Sequence, residues 1–260
     1  MPAAHIQGPK SGCDWTENDL AAYNIRIVYQ DALSFFRIPA LPPPALKHPA
    51  VLHLPGPAYT NDPTVYELLR TMDLAMLPTY TDESAVDDFA VLLLRELGYA
   101  PAGRVIRTRK DIPLIVCGDN TLMKADVCIV DGGGIMLLLV LEDRRHVGGA
   151  DPLPQLVAEA IAAFDLNNMT RERLGLEPLP SKDIPGITLK GTSPIFFKIP
   201  VTKQLVAAVR SGHYPAAETV VYAHLPAIPR PVDRWYEGMR PLDNRNIILS
   251  CYEALKRFVN

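Results

Sequence analysis

Two short apolar runs on either side of a glycine cluster constrain this chain more than any other stretch. Residues 126–131 and 135–141 are rich in β-branched and aliphatic side chains, and Gly132 to Gly134 separate them. Glycine supplies the positive φ that a tight turn requires, so the two runs are predicted to pair as an antiparallel hairpin. That pairing brings Asp126, at the start of the first strand, towards Glu142, near the end of the second.

Two carboxylates placed in this way are suited to share a divalent cation. Mg²⁺ prefers oxygen ligands from one or two carboxylates completed by water, and the bound ion polarises a phosphoryl oxygen and activates water. Asp126 and Glu142 are therefore the predicted ligands of Mg²⁺ or Mn²⁺. Because strand side chains alternate, Asp143 is predicted to face the other side of the strand, as a surface ion-pair partner.

The same residues resemble the signature of the PD-(D/E)XK nuclease superfamily, in which one acid opens a strand and an acid-x-Lys triplet ends the next. Asp126 matches the first acid, and Glu142-Asp143-Arg144 matches the triplet, with Arg in the place of Lys. Upstream, a predicted helix over 83–97 places Glu83 where the family has an acid. Downstream, a predicted helix over 154–166 places Gln155 where the RecB-like branch has a glutamine.

The resemblance implies a restriction-endonuclease-like α/β fold, with a central mixed β-sheet flanked by helices over residues 81–260. Residues 1–80 are then an N-terminal arm and a helical, proline-rich extension. The implied function is a Mg²⁺- or Mn²⁺-dependent nuclease that hydrolyses the phosphodiester bonds of nucleic acid. Its catalytic residues would be Asp126, Glu142, Arg144, Glu83 and Gln155.

Each of these residues also has a purely structural interpretation. Arg144 keeps the charge of the family lysine but not its shape, and it could neutralise Glu142 in a salt bridge without any cation. Glu83 suits the first turn of a helix on electrostatic grounds alone, and Gln155 could be an exposed helical residue. The alternative function is therefore a catalytically inactive nuclease-like domain that binds or regulates a partner, which could be a protein.

Charge and composition restrict the partners. The net charge of −3 and the pI of about 6.1 give no overall attraction to nucleic acid. Contact with phosphate would need a local patch, for which a predicted exposed connection offers Arg104, Arg107, Arg109 and Lys110. The apolar run 135–141 is far shorter than the roughly 20 residues of a membrane span, so no membrane partner is expected. Four dispersed cysteines suggest an intracellular protein, cytoplasmic or nuclear.

Periodicity and turn residues predict the remaining elements. The first three core strands are expected at 112–117, 126–131 and 135–143, as an antiparallel meander. Two further strands are expected on either side of Gly191, and an edge strand over 216–225. Other helices are predicted over 62–77, 201–212 and 244–259.

Overall fold

The computed structural model describes residues 8, 10–77, 85–143 and 151–259. Within these ranges the chain forms one mixed β-sheet of seven strands with helices on both faces. The strands are β1 (Ile25–Tyr29), β2 (Arg104–Val116), β3 (Asp119–Asp131), β4 (Met136–Glu142), β5 (Ser181–Lys190), β6 (Ser193–Thr202) and β7 (Thr219–His224). The helices are α1 (Glu17–Ala22), α2 (Ala32–Phe36), α3 (Pro63–Ala75), α4 (Ala85–Glu96), α5 (Pro152–Arg173), α6 (Lys203–Ser211), α7 (Arg234–Glu237) and α8 (Leu242–Leu255).

The order of the strands across the sheet is β1-β7-β6-β5-β4-β3-β2. Strands β2, β3 and β4 pair in sequence as an antiparallel meander, as predicted, but β2 and β3 are longer than predicted, so residues 127–131 pair with 104–108 and not with 112–117. Strand β5 then pairs parallel to β4, because α5 carries the chain back to the starting end of the sheet. Strand β6 is antiparallel to both of its neighbours, β5 and β7, and β1 joins the far edge parallel to β7. The N-terminal extension therefore supplies a strand as well as helices.

The β3–β4 turn shows why the glycine cluster predicted a hairpin. Asp131 Oδ1 accepts the backbone N–H of Gly133 at 2.9 Å and that of Ile135 at 2.8 Å. Gly134 has a φ of 86°, a conformation that residues with a Cβ rarely adopt. The turn thus fixes the register that places residue 127 opposite residue 140.

Two hydrophobic clusters fill the space between the sheet and its helices. The first, the α5-side cluster, joins α5 and α6 to the sheet and includes Leu139, Leu141 and Leu156. The second, the α4-side cluster, joins α3, α4 and α8 to the opposite face and includes Leu138 and Val140. Helix α5 begins after an Asp151 N-cap. Its first twelve residues are buried, apart from Gln155, which is half-buried. The alternation of β4 between the clusters explains its unbroken apolar sequence.

Two local predictions were wrong. Residues 104–110 are not a connection but the first half of β2, an edge strand in which Arg107 and Arg109 are exposed. Residues 219–224 form β7, which is not an edge strand because β1 pairs with it. In both cases the pairing is decided by distant segments, which local periodicity does not reveal. No helix in the described ranges is long and apolar enough to span a membrane.

Candidate functional site

Asp126 lies where β3 loses one of its two neighbouring strands. The β3–β4 ladder starts with the pair Val127 and Val140, whereas the β2–β3 ladder continues past this point to Asp119. The pairing with β2 is also interrupted opposite Asp126, because Arg109 adopts a φ of 49°. Asp126 therefore stands at a fork in the sheet, beside the end of β4.

The carboxylate of Asp126 contacts the end of β4 directly. Asp126 Oδ2 accepts the backbone N–H of Glu142 at 3.0 Å. This hydrogen bond brings together the two residues that were predicted to share a cation. It joins a carboxylate to a backbone amide, and not one carboxylate to the other. Asp126 is half-buried and Glu142 is buried, so both carboxylates are largely withdrawn from water.

Strand alternation distributes the acids over two faces at this fork. Glu142 continues the series of Leu138 and Val140, which belong to the α4-side cluster. Asp126 and Cys128 are two residues apart on β3, and Cys128 belongs to the α5-side cluster. The two acidic residues therefore meet at the edge of the sheet where β4 ends, through the Asp126 carboxylate and the backbone of Glu142 rather than through both carboxylates.

Helix α5 adds a third acid to the fork. Glu159 is completely buried, and its Oε1 accepts a hydrogen bond from Gln155 Nε2 at 3.0 Å, one helical turn earlier. Its Oε2 has no hydrogen-bond partner in the part of the chain that the structure describes. A buried polar atom left in this way is uncommon in folded proteins and calls for an explanation, such as a catalytic role or a bound water or ion.

The electrostatics of Glu159 connect it to Asp126. Burial raises the pKa of Glu159 to about 8, the hydrogen bond from Gln155 opposes that rise, and the negative charge of Asp126 adds to it. Burial also raises the pKa of the Cys128 thiol to about 11, with a smaller contribution from the charge of Glu159. Glu159 lies on α5, which packs against β4 and β5 on one face of the sheet.

The predicted site residues have different outcomes. The carboxylate of Asp126 contacts the backbone N–H of Glu142, and Gln155 is hydrogen-bonded to Glu159 on helix α5. Glu83 and Arg144 lie outside the described residues. Asp143, which was predicted at the surface, is instead 1% exposed, and its backbone N–H donates to Leu189 O at 2.7 Å.

Glu159 was not singled out from the sequence, although a signal was present. It is an isolated acid in the apolar run Leu156-Val-Ala-Glu-Ala-Ile-Ala-Ala163, at a spacing of four from Gln155. Residues four apart lie on the same face of a helix, and a charge in an otherwise apolar helix is unfavourable unless it has a partner. Those two facts together would have placed both side chains at one site.

The donor atoms at the fork suit a hard divalent cation, since they are carboxylate oxygens. Within the described ranges, however, no group of three or more His, Cys, Asp or Glu side chains is close enough to form a complete metal site. Asp126 and Glu142 would supply the first ligands, and the buried Glu159 Oε2 is the observation that fits a missing cationic or hydrogen-bonding partner. Water would complete the coordination.

The predicted basic patch lies on the edge strand next to this fork. Arg107 and Arg109 are exposed, and Arg104 and Lys110 are half-buried. The charges of Lys110 and Arg107 lower the pKa of Cys128 against the effect of burial, which places both cations near the α5 side of β3. The patch is thus adjacent to the carboxylates along β2 and β3.

No protein-family model matches this chain, and a search of curated proteins likewise finds no significant match. The arrangement of the site, rather than descent from a characterised family, must therefore support any function assigned to it.

Proposed function

We propose that this protein is a divalent-metal-dependent phosphodiesterase that acts on nucleic acid. The observation that carries the proposal is the meeting of Asp126 and Glu142 at the end of β4, beside the buried Glu159 with its unpartnered oxygen. Packing alone does not account for Glu159, because a buried carboxyl oxygen lowers stability unless a cation or a donor compensates it.

The order of the secondary-structure elements supports the same proposal. Helix α4, the antiparallel strands β2 to β4, the crossover helix α5 and the parallel strand β5 follow one another as expected for a restriction-endonuclease-like core. Asp126 and Glu142 lie on the second and third strands of this series, and Gln155 lies on the crossover helix, which supports the proposal. Fold alone does not fix function, so the proposal depends on the site.

The reaction would consume one water and one phosphodiester, and it would yield a phosphomonoester and a free hydroxyl group. A bound Mg²⁺ or Mn²⁺ would supply charge stabilisation at the phosphoryl oxygen and a more acidic water. Asp126 and Glu142 would hold that ion, and the hydrogen bond from Gln155 fixes one oxygen of Glu159 so that the other remains available at the site. Arg144 would contribute a positive charge near the scissile phosphate.

The second candidate is a nuclease-like domain that binds or regulates a partner without cleaving it. Arg144 in the place of the family lysine favours this candidate, as does the net charge of −3. The incomplete set of metal-binding groups among the described residues favours it as well. The two candidates differ in whether the acids at the fork are needed for an activity.

Cleavage assays combined with metal-binding calorimetry distinguish the candidates. Plasmid, linear duplex, single-stranded DNA and RNA are incubated with the protein in Mg²⁺, Mn²⁺ or EDTA, and Mn²⁺ binding is measured separately. We expect cleavage that EDTA, Asp126→Asn and Glu142→Gln each abolish, with Mn²⁺ binding lost in Asp126→Asn. Glu218→Gln is the matched control, because Glu218 is an exposed acid paired with Arg26 at the far edge of the sheet.

Arg144→Lys separates an intact site from a vestigial one. In an active enzyme this variant restores the residue of the family signature, so Mn²⁺ binding is kept and cleavage is kept or increased. Wild-type protein that neither binds Mn²⁺ at millimolar concentration nor cleaves any of the substrates would contradict the proposed activity and support the second candidate.

A further inference from the structure

A cavity of about 600 Å³ opens between the end of α3, the β5–β6 turn and α7. Its lining combines the aromatic residues Trp235 and Tyr236 with the cations Lys190 and Arg240. The described lining contains no acid. In a protein with a net negative charge, this is a local positive and aromatic surface.

The aromatic side chains of this cavity are accessible to a ligand. Tyr236 is 77% exposed, and Trp235 is half-buried with the ammonium of Lys190 5.4 Å from its ring centroid. The side chain of Arg240 is exposed and donates a hydrogen bond to the backbone carbonyl of Tyr236, which fixes its charge at the end of α7. One cation therefore lies over an aromatic ring, and a second lines the same cavity.

The wall of the cavity is preformed rather than loosely packed. The thioether of Met76 accepts hydrogen bonds from Thr192 N at 3.2 Å and from Thr192 Oγ1 at 3.1 Å. A Cβ at Gly191 would lie 2.7 Å from Met76 Sδ, and a Cβ at Gly238 would lie 2.6 Å from it. These close approaches hold the β5–β6 turn, the end of α3 and the segment after α7 together.

The cavity lies beside the carboxylates at the fork. Leu189 pairs with Glu142 across the β4–β5 ladder, and Leu189 O accepts the backbone N–H of Asp143. Lys190 follows Leu189 directly, so it is within one strand spacing of the end of β4. A polymer that reaches the acids can therefore also reach the cavity.

We infer that this cavity binds an unpaired base of single-stranded nucleic acid, with Tyr236 and Trp235 as stacking surfaces and Lys190 and Arg240 as phosphate contacts. Aromatic side chains stack only on bases that have left a duplex, whereas a basic surface alone would not distinguish the strands. This inference rests on the proposed function for its substrate class, and it specifies that the strand bound next to the acids is single-stranded.

Tryptophan fluorescence provides a local readout of binding. The chain contains two tryptophans, and the other one, Trp15, is 2% exposed and stacked on Tyr23. A single-stranded oligothymidine titrated in EDTA should quench the emission of Trp235, and Trp235→Phe should remove that quenching. The same oligothymidine annealed to complementary oligoadenosine as a blunt duplex should quench far less.

Affinity measurements on labelled oligothymidine, also in EDTA, test the individual contacts. Loss of a stacked base weakens binding about 5- to 150-fold, so Tyr236→Ala should fall in that range. Arg240→Gln should reduce the slope of log affinity against log salt concentration by about 0.7. Tyr214→Ala and Lys203→Gln are matched exposed controls near α6, at the other end of β6, and should leave the affinity unchanged.

The outcomes separate this inference from the proposed activity, because EDTA prevents cleavage during binding. Quenching and variant effects without any cleavage in Mg²⁺ or Mn²⁺ would support the base-binding cavity and contradict the enzyme. Cleavage without quenching, or equal losses of affinity in Tyr236→Ala and Tyr214→Ala, would contradict base binding in the cavity. Neither result would contradict the proposed enzymatic activity. Equal affinity for the single strand and the blunt duplex would also overturn base binding in the cavity.

Discussion

Replacing Glu159 by Gln removes an ionisable group while keeping the size of the side chain. Glu159 is fully buried and its pKa is raised from 4.5 to about 8, first by burial and then by the charge of Asp126. A Gln at this position keeps one oxygen and one nitrogen for hydrogen bonding to Gln155. The substitution therefore tests the electrostatic state of the site with little change in packing.

The sign of the effect follows from proton linkage. Between pH 4.5 and about 8 the folded protein keeps the Glu159 proton, whereas the unfolded chain has lost it. The unfolded state then binds fewer protons, so the free energy of unfolding falls as the pH rises through this window. At about 1.4 kcal/mol for each pH unit, the loss accumulated by pH 7 is about 3 kcal/mol.

Urea denaturation of wild-type and Glu159→Gln protein at pH 5 and pH 7.5 measures this difference. We expect similar free energies of unfolding at pH 5 and a variant that is more stable by about 3 kcal/mol at pH 7.5. Glu172→Gln is the control on the same helix, and because Glu172 is exposed, we expect a change within about 0.5 kcal/mol. An equal stability difference between Glu159→Gln and wild type at both pH values would refute the reasoning.

Three further predictions concern charges elsewhere in the fold. Asp126→Asn removes a charge that raises the pKa of Glu159. In denaturation series, the free energy of unfolding of this variant should therefore level off at a lower pH than that of the wild type. Arg245 is buried and donates to four backbone carbonyls, so Arg245→Lys, which lacks the planar fork, should lower the free energy of unfolding by about 3 kcal/mol or more. Burial lowers the pKa of Lys198 to about 8, so wild-type stability should rise relative to Lys198→Met as the pH increases from 8 to 10.5. The absence of these pH-dependent differences, or a neutral Arg245→Lys, would contradict the respective predictions.

The meander of β2 to β4 was predictable because its determinants are local. The glycine cluster, the Asp131 side chain and the apolar runs on either side all lie within a short stretch, and the turn fixes the register. For the same reason the proximity of residues 126 and 142 was correctly expected. Asp151 and Pro152 form a local start signal for α5, which begins within two residues of the predicted position.

Features that depend on distant segments were not predictable in this way. The position of β7 inside the sheet is decided by β1, which is nearly 200 residues earlier in the chain. The strand character of residues 104–110 comes from pairing with 125–131 and not from their own alternation. The contribution of Glu159 to the site depends on how α5 packs on the sheet, and no motif in the hairpin indicates that packing.

The burial of Glu159 bears on the choice between the two candidate functions. A domain that only presents a binding surface has no use for a buried acid with an unpartnered oxygen next to Asp126, and a neutral residue there would give a more stable fold. An enzyme that places several carboxylates around a cation does require such an arrangement, and reduced stability is a common consequence of such sites. If Glu159→Gln is more stable at neutral pH and also inactive in cleavage, Glu159 is required for catalysis. If it is more stable and the protein binds single-stranded nucleic acid unchanged without ever cleaving it, the acid is a remnant and the binding candidate is correct.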